Sequence, residues 1–170
     1  MQLTVLNVVH PSAGFGPESD GEAGHMLRHL DAALNRAGHH SIVIAPEGYD
    51  VEGILVEMPR PETPLNEAGE EQVRAQYRAT IEMLLSTWRF DVIHLHGFDS
   101  DECLPHSNVP IVVTPKSDTG VSLNTDPGRP GAPGEMGQFV ENYVATYHRL
   151  AGERIQRERE AQEQQQSFAV

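Results

Sequence analysis

The chain has 170 residues, 38% of them hydrophobic, which suits one domain with a sizeable core and polar tails. Its 25 acids against 12 bases leave a formal net charge of −13, arguing against nucleic-acid backbones and anionic membrane surfaces as partners. The single Cys103 excludes an internal disulfide, the start MQLTVLNVVHPS lacks the positive region of a signal peptide, and no apolar run reaches transmembrane length, so a cytoplasmic protein is the expectation.

LTVLNVV (3–9) is an apolar, valine-rich run and reads as a strand buried on both faces. The Gly- and Pro-loaded stretch 10–21 is a loop. Ser19 and Glu22 match a capping box, and Met26, Leu27, Leu30, Ala33 and Leu34 then recur at helical spacing. Gly38 stops that helix. SIVIA (41–45) is a second strand and ILVEM (54–58) a weaker third. Val73, Tyr77, Ile81, Leu84 and Trp88 mark one face of a second helix over about residues 66–88. DVIHLH (91–96) and VPIVVT (109–114) are two more strands. The dozen residues between them are near the minimum for a parallel crossover, so any helix around Ser100 to Leu104 is short.

Residues 115–134 are rich in Gly and Pro and have no periodicity, which marks a linker or mobile loop. Met136, Val140, Tyr143, Tyr147 and Leu150 form one face of a third helix, which the polar segment 153–170 extends before fraying. That stripe is expected to pack on the first domain or on a second copy of it. Tyr143 and Tyr147 would be central, with Glu141, Asn142, Thr146 and Arg149 facing solvent. Strands alternating with helices imply a Rossmann-like, doubly wound α/β fold with a mainly parallel sheet of order near 3-2-1-4-5 and a C-terminal amphipathic helix. Ligands of such sheets bind at the carboxyl ends of the strands, near the switch point. Loop 10–21, residues 95–102 and residues 115–120 lie on that edge.

Gly38-His39, Ile42 to Pro46, Asp91 to His96 and Val109 to Thr114, in that order, resemble the N-terminal domain of family-four, GT-B-fold glycosyltransferases. The resemblance covers about residues 1–117. It divides the chain into that domain (1–117), a Gly/Pro-rich linker or mobile loop (118–134), and a C-terminal helix with a polar tail (135–170). It implies a retaining transferase that uses a nucleotide sugar as donor and requires no other cofactor. This half would hold the acceptor, and a second Rossmann-like domain would hold the donor. The donor-side Glu-x7-Glu motif has no counterpart here, and Lys116 stands where the family often has a histidine. The expectation is therefore a chain inactive alone, whose partners are a sugar or glycosyl acceptor and a separate donor domain or a second copy. MGQFVENYVATYHRLAG (136–152) is similar to the last helix of such enzymes, which crosses back onto the first domain.

The candidate substrate-binding residues are Gly14, Phe15, Gly16, His25, His96, Gly97 and Lys116, with His96 and Lys116 also the catalytic candidates. Gly14-Phe15-Gly16 would let backbone amides approach an anion near a helix start, or is a plain surface turn, since neither dinucleotide fingerprint nor P-loop is complete. His25 and His29 are i,i+4, with only His25 near the helix start. Lys116 would bind phosphate as a point charge or be a solvated loop residue. His94 and His96 share a face of their strand. His94 reads as a hydrogen-bonded core histidine and His96 as a ligand-edge residue. No metal is expected, because Asp99, Asp101 and His106 complete no recognised ligand spacing. Cys103 has no activating context and no Gly-x-Ser-x-Gly elbow is present. Besides the transferase, two classes stay open: a non-catalytic binding module that kept the fold, and a small metal-dependent hydrolase using His94, His96 and Asp99.

Overall fold

The computed structural model describes residues 1–11, 21–61, 65–99, 103–114 and 136–167. Five strands form one parallel sheet: β1 (Thr4–Val9), β2 (His40–Pro46), β3 (Ile54–Met58), β4 (Val92–His96) and β5 (Ile111–Thr114). Their order is β3-β2-β1-β4-β5, as the sequence pattern predicts. Among the described residues three helices flank the sheet: α1 (Gly21–Arg36), α2 (Glu67–Thr87) and α3 (Met136–Ser167).

Strand side chains alternate between two faces. One parity, including Leu6, Val8, Ile42, Ile44, Ile93 and Leu95, packs against Tyr77, Ile81 and Leu84 of α2. The other parity carries Val5, Val92 and Val112 against Met26, Leu30 and Leu34 of α1 and Phe139, Tyr143 and Tyr147 of α3. The C-terminal helix therefore docks on the sheet of its own chain, with Tyr143 and Tyr147 buried at the contact. Glu141 and Arg149 face solvent, while Asn142 and Thr146 are half-buried at the edge of the seam.

The ends of the elements have local causes. Gly38 adopts φ +78° just past α1, and the amide of His39 returns to the Leu34 carbonyl at 2.9 Å, closing the helix end. A Cβ at Gly38 would meet nothing within 4 Å, so backbone conformation alone requires the glycine. Asn66 caps α2 by accepting from the Gly69 amide at 2.8 Å. The cap at Ser19 and the linker 118–134 lie outside the described residues.

One predicted core residue is displaced. Trp88 ends α2 in extended conformation and is 40% exposed, because the helix stops at Thr87 and its stripe does not continue. Phe90, two residues on, fills the core instead. Residues 103–110 contain turn and bend, and Ser100 to Glu102 lie outside the described residues. No described helix is long and apolar enough to cross a membrane.

Asp31 of α1 is a buried anchor that the amphipathic pattern hides. Its carboxylate accepts from the amides of Glu52 (2.6 Å) and Gly53 (3.1 Å), tying the approach to β3 onto α1. A Cβ on Gly53 would come within 2.4 Å of the Ser41 carbonyl oxygen and 2.6 Å of the Asp31 carboxylate, so the close approach demands glycine.

Candidate functional site at the carboxyl edge of the sheet

Strand order reverses between β1 and β4, which makes this the switch point. His96 is the last residue of β4 and lies beside Val9, the last residue of β1. The face of the sheet beneath α1 and α3 is polar here. Asn7, Ser41, His94 and His96 are its buried polar strand residues, and half-buried Thr114 joins them from β5.

These groups form two bonded sets. In the first, Asn7 Nδ2 donates to Ser41 Oγ at 3.0 Å, and Asn7 Oδ1 lies 3.0 Å from His96 Nε2. His96 Nδ1 is buried and has no hydrogen-bond partner among the described residues. In the second set, His94 Nδ1 bonds the Tyr147 hydroxyl, His94 Nε2 lies 2.7 Å from Thr114 Oγ1, and Thr114 Oγ1 lies 2.8 Å from the Tyr143 hydroxyl. The imidazoles of His94 and His96 lie with centroids 3.8 Å apart and their planes tilted by 34°.

Burial decides the charge of these groups. Desolvation pushes His96 down to about 3. It also holds His94 well below the usual histidine range, with His96 adding a smaller effect. Burial, then the neighbouring Tyr143, pushes the Tyr147 phenol well above its usual range. At neutral pH the cluster is therefore a set of neutral dipoles. It donates and accepts hydrogen bonds but offers no charge to a phosphate.

His94 is the hydrogen-bonded core histidine that its position implies. Both of its ring nitrogens are engaged within the protein, which removes it from the ligand set that the hydrolase reading requires. Asp99 and His106 are exposed, and no group of three or more potential metal ligands occurs among the described residues. Gly97 is buried at φ +75° and its amide donates to the Thr114 carbonyl at 2.7 Å. Its glycine is explained by the left-handed turn that ends β4. His25 lies in α1, but its side chain is outside the described set, as are Gly14, Phe15, Gly16, Asp101 and Lys116 altogether. Sequence reading missed Asn7, Ser41 and Thr114 as members of this cluster. The one signal available was an amide side chain inside the apolar run LTVLNVV.

No curated relative matches the chain. The family profile described as Glycosyltransferase Family 4 matches residues 23–162, and so takes in most of α1, strands β2 to β5 and most of α3. A parallel Rossmann-like sheet, its polar carboxyl edge and this match over most of the sequence agree: the chain belongs to glycosyltransferase family 4.

Proposed function

We propose that this chain is the acceptor-holding half of a retaining, nucleotide-sugar-dependent glycosyltransferase. It works with a donor-binding domain supplied by a second polypeptide or by sequence outside these 170 residues. In the reaction the bond from the anomeric carbon to the donor phosphate breaks, a bond to the acceptor oxygen forms, and the acceptor hydroxyl gives up its proton. His96 seats the acceptor. The observation that carries this reading is its position at the switch point, with a buried, neutral ring nitrogen that has no partner among the described residues. Such a nitrogen suits a sugar hydroxyl. Lys116, two positions past the end of β5 in the sequence, supplies the positive charge for the donor phosphates in this scheme.

The test is sugar release from a panel of nucleotide sugars. It uses the purified chain alone and then mixed with a Rossmann-like domain encoded beside it. Transfer only in the mixture, lowered at least tenfold by His96→Ala, supports the reading. Turnover by the isolated chain removes the need for a donor half. Glycoside binding with no transfer in any mixture makes the chain a non-catalytic module.

A further inference from the structure

We propose that Asn7 is a positioning residue that holds His96 in its Nε2–H tautomer, so that His96 meets its ligand through Nδ1 as a hydrogen-bond acceptor. The inference rests on the acceptor-site reading above and names the chemistry of the group seated there. That group is a neutral donor, a hydroxyl, and not a phosphate or carboxylate oxygen.

A neutral imidazole carries one donor and one acceptor nitrogen, and the partner of one nitrogen fixes the role of the other. Asn7 presents its amide oxygen to His96 Nε2 at 3.0 Å. An amide oxygen only accepts, so Nε2 carries the hydrogen. At the other end of the amide Nδ2 donates to Ser41 Oγ at 3.0 Å, the serine hydroxyl, which can donate or accept, taking the accepting role. All three residues are buried, at 0% (Asn7), 2% (Ser41) and 1% (His96) exposure, so water does not compete for these bonds. A flipped amide would put N–H toward Nε2 and reverse the polarity of the ring.

Nδ1 is then a lone pair with no partner among the described residues. Buried polar atoms in native proteins are nearly always paired, so at a ligand-binding edge this acceptor is the atom that a bound group would pair. That group has to bring a hydrogen. His94, whose ring lies 3.8 Å from that of His96, does not compete for it, because both of its own nitrogens are taken. Burial also keeps His96 neutral at physiological pH, which leaves an anion nothing to pair with. Asn7 thus acts on the ligand through another residue: it sets which hydrogen-bonding sign His96 displays.

The experiment reads ring nitrogens directly, by long-range proton–nitrogen NMR on the full chain labelled at histidine. The wild-type protein is expected to show His96 with Nε2 protonated and Nδ1 bare. Asn7→Leu and Asn7→Thr remove the reaching oxygen and should move His96 to a tautomer mixture or to Nδ1–H, while Asn7→Asp, which keeps an acceptor there, should hold the Nε2–H form. Titration with methyl α-D-glucopyranoside should move Nδ1 away from its bare position, and inorganic phosphate should not. An Nδ1–H tautomer in the wild-type protein overturns the proposal, whatever the variants do. So does an unchanged tautomer in a folded Asn7→Leu or Asn7→Thr protein, or an Nδ1 response to phosphate and not to the glycoside. The tautomer is read without turnover. Its confirmation alongside absent transfer would uphold the role of Asn7 and count only against the transferase reading.

Discussion

The two faces of the sheet are built for different tasks. Beneath α2 the strand side chains are aliphatic, from Leu6 and Val8 through Ile42 and Ile44 to Ile93 and Leu95. Beneath α1 and α3 the same strands alternate valines with Asn7, Ser41, His94, His96 and Thr114. The apolar face gains stability from area removed from water and tolerates exchange of one aliphatic for another. The polar face contributes less per residue, but each hydrogen bond fixes an orientation. The candidate site lies on the second face, where hydrogen bonds, and not packing alone, specify how an imidazole presents its nitrogens.

The largest effect should come from removing the cover of the polar face. Truncation after Gly134 exposes the surface beneath Phe139, Val140, Tyr143, Tyr147 and Ala151, all buried in the intact chain. The large side chains among them are worth about 1.5–3 kcal/mol each on burial, a sum that rivals the stability of a whole domain. The expected result is loss of a cooperative thermal transition by calorimetry. A truncated protein that melts like the full chain would show that α3 only decorates the domain. On the opposite face, Ile81→Ala should cost about 2–5 kcal/mol in urea unfolding, with transfer activity at the working temperature unchanged. A selective loss of activity there would break the division of labour between the faces.

Acid should act mainly through the two fully buried histidines of the polar face. His94 and His96 are neutral when folded, while the unfolded chain gains protons at the usual histidine value of 6.5. The unfolded state binds more protons below that value, so stability falls with pH. For His96 the fall ends only near pH 3, where the folded form titrates. By pH 5 the loss is on the order of 2 kcal/mol for each buried histidine. Urea midpoints at pH 7.5 and pH 5 measure it, and His96→Gln should remove about half of the difference. A smaller effect belongs to the phenols. Tyr147→Phe leaves His94 Nδ1 without its partner and should cost about 1–3 kcal/mol. Tyr143→Phe should cost less, because Thr114 keeps its bond to His94.

Much of this molecule is legible in its sequence, for identifiable reasons. Runs such as DVIHLH and VPIVVT announce buried strands, and the order of strands and helices leads to the sheet order observed. The stripe from Met136 to Leu150 announces a docked helix, because apolar spacing is a local property. The site is less legible because its bonds are not local. His94 meets Tyr147 across 53 positions and Thr114 across 20, while His96 meets Asn7 across 89. No spacing rule connects such residues before the sheet is assembled. Asn7 was hidden by its company, a polar residue in an apolar strand whose purpose appears only when β4 lies beside β1.

The smallest predicted effect tests whether α3 is held by its buried face or by charges along its length. Arg149 and Glu153 pair at 2.8 Å, but their side chains are 55% and 49% exposed. Water screens such a pair and both side chains lose freedom in making it, so Arg149→Ala should change stability by no more than about 0.5 kcal/mol. Arg154, one turn further on, is only 11% exposed. Its Nη1 donates to the Phe90 carbonyl at 2.7 Å, and its Nη2 lies 3.5 Å from Asp91, whose other oxygen accepts from the Thr4 amide at 2.8 Å. This arginine joins α3 to the starts of β4 and β1, at the amino edge opposite the site. Arg154→Ala strips a charged donor from a buried carbonyl and should cost about 1–3 kcal/mol. Urea unfolding of the two variants in low and high salt separates the cases: salt should erase the small effect of Arg149→Ala and leave most of that of Arg154→Ala. Equal losses would mean that surface charge along α3, and not the buried contact with the sheet, holds the helix in place.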